Sequence, residues 1–222
     1  GVYLTGTDTT VRSVDGDISF TGIGGTSSAG GNSYGIYLDS GATVVSTGTG
    51  TNAAKVTLNG TGGGPVGQSH GVYLNGTNTA VRSVDGDISF TGVGGAGSGN
   101  NYGIFLDAGA TLISTGTGAN AAKVTLHGTG GAGTSSSRGI SLNGLNTAVS
   151  SVDGDISLTG LSGAGSADRN QGIIMSAGAM VVSTGTGADA AKVTLIGTGG
   201  TGTNFNYGIY LTGANTAVRS VD

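Results

Sequence analysis

Gly-Val-Tyr-Leu at 1–4 returns as Gly-Ile-Tyr-Leu at 35–38, Gly-Val-Tyr-Leu at 71–74 and Gly-Ile-Phe-Leu at 103–106. It continues as Gly-Ile-Ser-Leu at 139–142, Gly-Ile-Ile-Met at 172–175 and Gly-Ile-Tyr-Leu at 208–211. A unit that recurs at near-constant spacing through a whole chain stacks on its own copies and forms an elongated solenoid. Alternate copies start 70, 68 and 69 residues apart, at positions 1, 71, 139 and 208, and another copy falls near the middle of each interval. The long repeat is therefore a pair of coils. Coil A (1–34, 71–102, 139–171) carries Val-Asp-Gly-Asp-Ile-Ser-[Phe/Leu]-Thr-Gly and then a Gly/Ser/Asn stretch of variable length. Coil B (35–70, 103–138, 172–207) carries Ser-Thr-Gly-Thr-Gly-x-[Asn/Asp]-Ala-Ala-Lys-Val-Thr-Leu and keeps one length.

Within each coil, three short β-branched or apolar runs are bounded by glycine and show no 3.6-residue periodicity, which predicts strands. They span Val2–Leu4, Thr9–Val14 and Asp17–Thr21 in A, and Ile36–Leu38, Thr43–Thr47 and Lys55–Asn59 in B. Strand alternation points Val2 with Leu4, Ile18 with Phe20, and Val56 with Leu58 to one side, the expected core. If each coil is one turn, every strand pairs with its equivalent about 4.8 Å away. The expected fold is all-β, a right-handed parallel β-helix (β-solenoid) of alternating A and B coils of about 34 residues. It should form one continuous segment over 1–222, with double repeats 1–70, 71–138 and 139–207 and a partial repeat 208–222. A separate β-sandwich for each long repeat is the alternative, and the half-repeat and missing linkers speak against it. Residues 208–222 repeat 1–15 almost residue for residue, neither end carries a polar cap, and no initiator Met or signal peptide is present. The expectation is a window cut from a longer array.

Composition narrows the function classes. Gly 49 with Pro 1 and no strict third-residue period excludes collagen, and Val, Ile and Leu at fixed places argue against disorder. A net charge of −4 argues against nucleic-acid and anionic-membrane partners, and Cys 0 excludes disulfides and thiolate metal sites. No apolar stretch reaches the roughly 20 residues that span a bilayer, so membrane insertion is not expected.

Two outward columns are the candidate functional residues. Aligning the third strands sets Asp17, Lys55, Asp87, Lys123, Asp155 and Lys192 in one column of alternating charge. Cross-strand ion pairs there would contribute about 0.2–1 kcal/mol each and would fix the A/B register. Tyr3, Tyr37, Tyr73, Phe105 and Tyr210 sit in mid-strand between inward residues, so they should face outward as an aromatic ladder interrupted at Ser141 and Ile174. Such a stripe stabilises the sheet by stacking, or serves as a lateral contact for sugars or for another copy.

Other motifs carry less. The Asp-Gly-Asp pairs at 15–17, 85–87 and 153–155 lack the six to eight oxygens calcium takes, and a tight turn with Asp accepting backbone hydrogen bonds accounts for them. Strings such as Gly116-Thr117-Gly118 and Gly128–Gly133 precede no helix and no Gly-Lys-Ser/Thr, so they are loops and not phosphate cradles. His70 and His127 are unrelated in position and no Ser, His and acid grouping recurs, so no catalytic residues, metal or cofactor are expected. Outward Ser19, Thr21, Thr57, Ser89, Thr91 and Thr125 hint at an ice-binding face, but Asn59, His127 and Ile196 break the rank.

The combination of Gly-[Val/Ile]-Tyr-Leu, Val-Asp-Gly-Asp-Ile-Ser-Phe-Thr-Gly and Ser/Gly/Asn-rich connections resembles the repeat arrays of giant bacterial surface proteins of the filamentous-haemagglutinin and autotransporter adhesin type. The resemblance covers the whole chain and implies export to the cell surface and a long β-helical shaft, with no catalytic residues. Two functions fit: a structural component whose rods self-associate end to end and laterally into fibres or matrix, or an adhesin stalk that binds glycans or other cells.

Overall fold

The structure is a computed structural model that describes residues 1–27, 31–134, 136–164 and 168–221. The expected loop at 24–33 falls partly, and the closing Asp222 wholly, outside the described residues. The described chain is all-β: three parallel sheets of seven, seven and six strands run side by side along one axis. Each of the first six coils contributes one strand to each of them, the last partial coil contributes to the first two, and a two-stranded parallel sheet pairs Thr26–Ser27 with Gly64–Pro65. The first sheet begins at Val2–Thr5 and ends at Ile209–Thr212, the second runs from Thr10–Ser13 to Ala217–Arg219, and the third from Ile18–Ile23 to Val193–Thr198. Neighbours in every sheet are successive coils, so the protein is a parallel β-solenoid of about six turns. No helix long and apolar enough to cross a membrane occurs among the described residues.

Register follows the repeat. Val2 pairs with Ile36, Ile36 with Val72, Val72 with Ile104, Ile104 with Ile140, Ile140 with Ile173 and Ile173 with Ile209. These steps make the A coils 34, 32 and 33 residues and every B coil 36 residues. Alternation carries the same side chain of each strand inward. Ile36, Leu38, Val44, Val56, Leu58, Ile88, Phe90 and Leu112 have no exposed surface, and Val2, Leu4 and Phe20 pack against them from the first coil. Each fully buried Leu, Ile, Val or Phe contributes roughly 1.5–3 kcal/mol relative to an exposed one, so the axial columns hold the coils together.

Every expected strand shifts by one or two residues at an end, and two of these differences have a clear local reason. Thr9 is a corner residue outside the second strand: its hydroxyl donates to the Thr5 carbonyl at 2.6 Å, as Thr79 does to Asn75 at 2.6 Å. The third strand starts at Ile18 and runs through Gly22, where glycine would normally suggest a break. Here glycine is required by proximity. A Cβ on Gly22, Gly60, Gly92, Gly128, Gly160 or Gly197 would lie 2.0–2.3 Å from a carbonyl oxygen at the start of the next coil. The third strand therefore passes directly against the first strand that follows it, and only a residue without a side chain fits the crossing.

Candidate binding face

The acidic column is built differently from the expected ion-pair ladder. Asp17, Lys55, Asp87, Lys123, Asp155 and Lys192 do lie in consecutive coils, linked by the ladder bonds Ile18 N–H to Lys55 O, Val56 N–H to Asp87 O, Ile88 N–H to Lys123 O, Val124 N–H to Asp155 O and Ile156 N–H to Lys192 O. The carboxylates reach the main chain. Lys55 N–H donates to Asp17 Oδ1 at 2.8 Å, Lys123 N–H to Asp87 at 3.0 Å and Lys192 N–H to Asp155 at 2.8 Å. The lysine ammonium groups take no part in these bonds. A backbone amide at fixed distance is the better partner for a short Asp, because holding a long exposed Lys chain costs rotamer entropy.

The first Asp of each pair points the other way along the axis. Gly50 N–H donates to Asp85 Oδ2 at 2.6 Å and Gly118 N–H to Asp153 Oδ2 at 2.7 Å. Gly50 and Gly118 have φ of 77° and 74°, the left-handed region, which turns the amide toward the next coil. The Asp-Gly-Asp pairs at 85–87 and 153–155 are thus clamps: Asp85 holds the B coil before it and Asp87 the B coil after it, and Asp153 and Asp155 do the same one double repeat later. The expected backbone acceptance is present, but it crosses between coils and does not close a local turn. No group of three or more His, Cys, Asp or Glu side chains suited to a metal occurs among the described residues.

The aromatic residues do come together. Tyr3, Tyr37, Tyr73 and Phe105 stack in sequence with ring centroids 4.9 Å apart and interplanar angles of 5°, 9° and 5°. Tyr210 stands apart from this stack, beyond Ser141 and Ile174, and leans on Tyr207 at 5.3 Å. The ladder is also less open than an outward stripe should be, because a second row covers it. The residue before each signature glycine supplies that row: Tyr34, His70, Tyr102, Arg138, Gln171 and Tyr207. Tyr34 stacks on His70 at 5.3 Å, His70 on Tyr102 at 4.9 Å, and the Arg138 guanidinium lies 5.0 Å over the Tyr102 ring. The two rows meet edge to face, as in Tyr34 against Tyr37 at 5.1 Å and Tyr102 against Phe105 at 5.3 Å. Sequence reasoning missed this row; its signal was the repeated aromatic or long side chain just before each Gly-[Val/Ile].

Packing in two rows alters the chemistry of these groups. Burial, then the nearby Asp39 carboxylate, pushes the Tyr37 hydroxyl up to about 12, and Tyr73 is raised by burial and by Asp107. His70 has no exposed surface, and burial lowers its pKa to about 3. Its Nδ1 accepts the Tyr102 amide at 3.1 Å, which fixes the neutral ring with its proton on Nε2; that nitrogen has no hydrogen-bond partner. The stack also limits ligand binding. A sugar stacks on an aromatic face, and both faces of Tyr37 and Tyr73 are taken by their neighbours in the ladder.

No family model, no curated protein and no solved structure matches this chain.

Proposed function

We propose that the chain is part of a non-enzymatic structural protein, a stiff β-solenoid rod exported to the bacterial cell surface or matrix, whose copies associate into fibres. The observation that carries this is the continuity of the three strand ladders through the six full coils. The strand edges at either end of the stack have the geometry of those paired inside it, so they accept a further coil from this chain or another. Asp17, Lys55, Asp87, Lys123, Asp155 and Lys192 stand in one axial column, and no group of three or more His, Cys, Asp or Glu gathers among the described residues, which supports a structural role over a catalytic one. Export rests on the resemblance of the repeat pattern to surface-protein arrays.

A lateral contact is supported by a second column. Ile23, Val93 and Leu161 are exposed by 70%, 39% and 47% and alternate in register with Thr61, Thr129 and Thr198. An aliphatic knob every second coil, about 9.6 Å apart, matches the period of any neighbouring rod of the same kind. An adhesin stalk is the second reading, favoured by the break in the aromatic ladder at Ser141 and Ile174. Electron cryomicroscopy of undenatured material tests the choice. Laterally associated fibres with a ~4.8 Å axial spacing are expected; single unassociated rods with that spacing would refute the fibre and leave the stalk.

A further inference from the structure

One recess on the aromatic face is built unlike the rest of the rod. Where Ser141 and Ile174 replace the rings of the ladder, a cleft of about 350 Å³ opens, lined by Arg138, Arg169, Gln171, Ile174, Phe205 and Tyr210. In a chain with only eight Lys and Arg in total, two arginines converge here, and no carboxylate lines the cleft. Both are held in place. Arg138 Nε donates to Gln171 Oε1 at 2.9 Å, and the buried Gln171 in turn donates through Nε2 to the Phe205 carbonyl at 2.8 Å. Arg169 sits at φ 66°, rare for a side chain of its size, with its guanidinium 6.0 Å from the Phe205 ring centre and its amide bonded to the Asn204 carbonyl at 2.9 Å. The adjacent Asp168 lies outside the cleft lining: its carboxylate accepts the Thr203 hydroxyl and, at 3.0 Å, the Asn204 amide, and it offsets only part of the Arg169 charge. The two guanidinium groups repel one another across a partly desolvated space, a cost that a bound anion would remove.

We propose that this cleft binds an acidic sugar, a uronate residue of an acidic polysaccharide, with its carboxylate on Arg138 and Arg169 and its ring against Tyr210. The guanidinium fork matches the two oxygens of a carboxylate. The interrupted ladder supplies the other half of the site: in the stacked stretch ring faces are covered, whereas Phe205 and Tyr210 meet the cleft directly. A free organic acid shares the carboxylate and lacks the ring, and a neutral sugar has the ring alone. The site needs only folded coils, so its failure and the failure of the fibre are separate results.

The test titrates oligogalacturonate, maltohexaose and sodium acetate separately into the folded chain by calorimetry. Oligogalacturonate should bind and weaken steeply with added salt, while maltohexaose and acetate should bind at least ~10-fold more weakly. R169Q removes an exposed side chain and should keep the wild-type urea midpoint while losing about tenfold or more in affinity. R138Q should show the same loss if it folds, and R169Q alone decides the matter if it does not. Unchanged affinity in folded R169Q, acetate binding as tight as the oligomer, or no oligogalacturonate binding would each overturn the proposal.

Discussion

Acidification should weaken this rod through a single side chain. His70 is stacked between Tyr34 and Tyr102, faces the edges of Tyr73 and Phe105, and uses Nδ1 as an acceptor from the Tyr102 amide. Protonating it would strand a cation away from water and destroy that hydrogen bond, so burial holds its folded pKa near 3 against 6.5 in the unfolded chain. A depressed histidine pKa means that the unfolded state binds the extra proton first. Stability is therefore whole above pH 6.5 and falls as pH drops toward 3, by about 1.4 kcal/mol per pH unit once below 6.5. Between pH 7.5 and 4.5 the loss is about 2–3 kcal/mol. The surrounding tyrosine hydroxyls are raised by burial and do not titrate in this window. Asp39 is shifted below the ordinary carboxylate range, so its contribution is lost only at lower pH. Urea unfolding across this pH range, for wild type and for H70Y, measures the effect; tyrosine occupies the same row in two neighbouring coils, so H70Y keeps the stack. The slope should vanish in H70Y and persist in H127Q, whose side chain is exposed on the third sheet. Parallel pH profiles in wild type and H70Y would refute the assignment.

Three further substitutions separate the forces that join the coils. D87A should cost about 1–1.5 kcal/mol in urea unfolding because the Lys123 amide loses its acceptor, while K123A should stay within about 0.5 kcal/mol because the amide remains; equal costs would return the column to an ion-pair ladder. G92A sets a Cβ 2.1 Å from the Gly103 carbonyl and should cost about 1–3 kcal/mol or more, read as a lower urea midpoint and new proteolytic cleavage beside that coil; a neutral G92A would mean that the crossing is looser than described. Replacing Tyr37 and Tyr73 with Ser should keep the β circular dichroism, because Ser141 already fills the same strand position, and should lower stability by about 0.5–1.5 kcal/mol per ring pair lost; loss of the fold would make the ladder part of the core.

The sheet order and the inward positions were legible because both rest on period alone. A two-residue alternation repeated in every coil sends Val56 and Leu58 inward whatever their neighbours do. The aromatic ladder was legible for the same reason, at mid-strand. What the pattern could not convey was contact between elements of different phase. Tyr34, His70 and Tyr102 sit in irregular backbone before the first strand, and only the closed coil brings them over Tyr37, Tyr73 and Phe105. The charge column was placed correctly along the axis, yet its chemistry depended on where an amide points, which side-chain sign alone does not reveal. Gly22 and its equivalents looked like strand ends because the crossing that demands them lies in the next coil. The Arg138 and Arg169 cleft joins residues from separate coils at a place where the repeat is broken, and a periodic description averages such places away.

The clamp formed by Asp-Gly-Asp has a consequence for how such a rod can change length. The A coils at 71–102 and 139–171 each reach in both directions for an amide that a B coil supplies. Two A coils in succession would leave carboxylates facing one another without those amides, and two B coils would leave donors with nothing to receive them. Duplication or loss of a single coil is therefore penalised at a junction, whereas a pair passes without a scar. Growth and shortening of the gene should be quantised in A/B pairs, and the length of the rod should vary among such proteins in steps of about 9.6 Å, two strand spacings at a time.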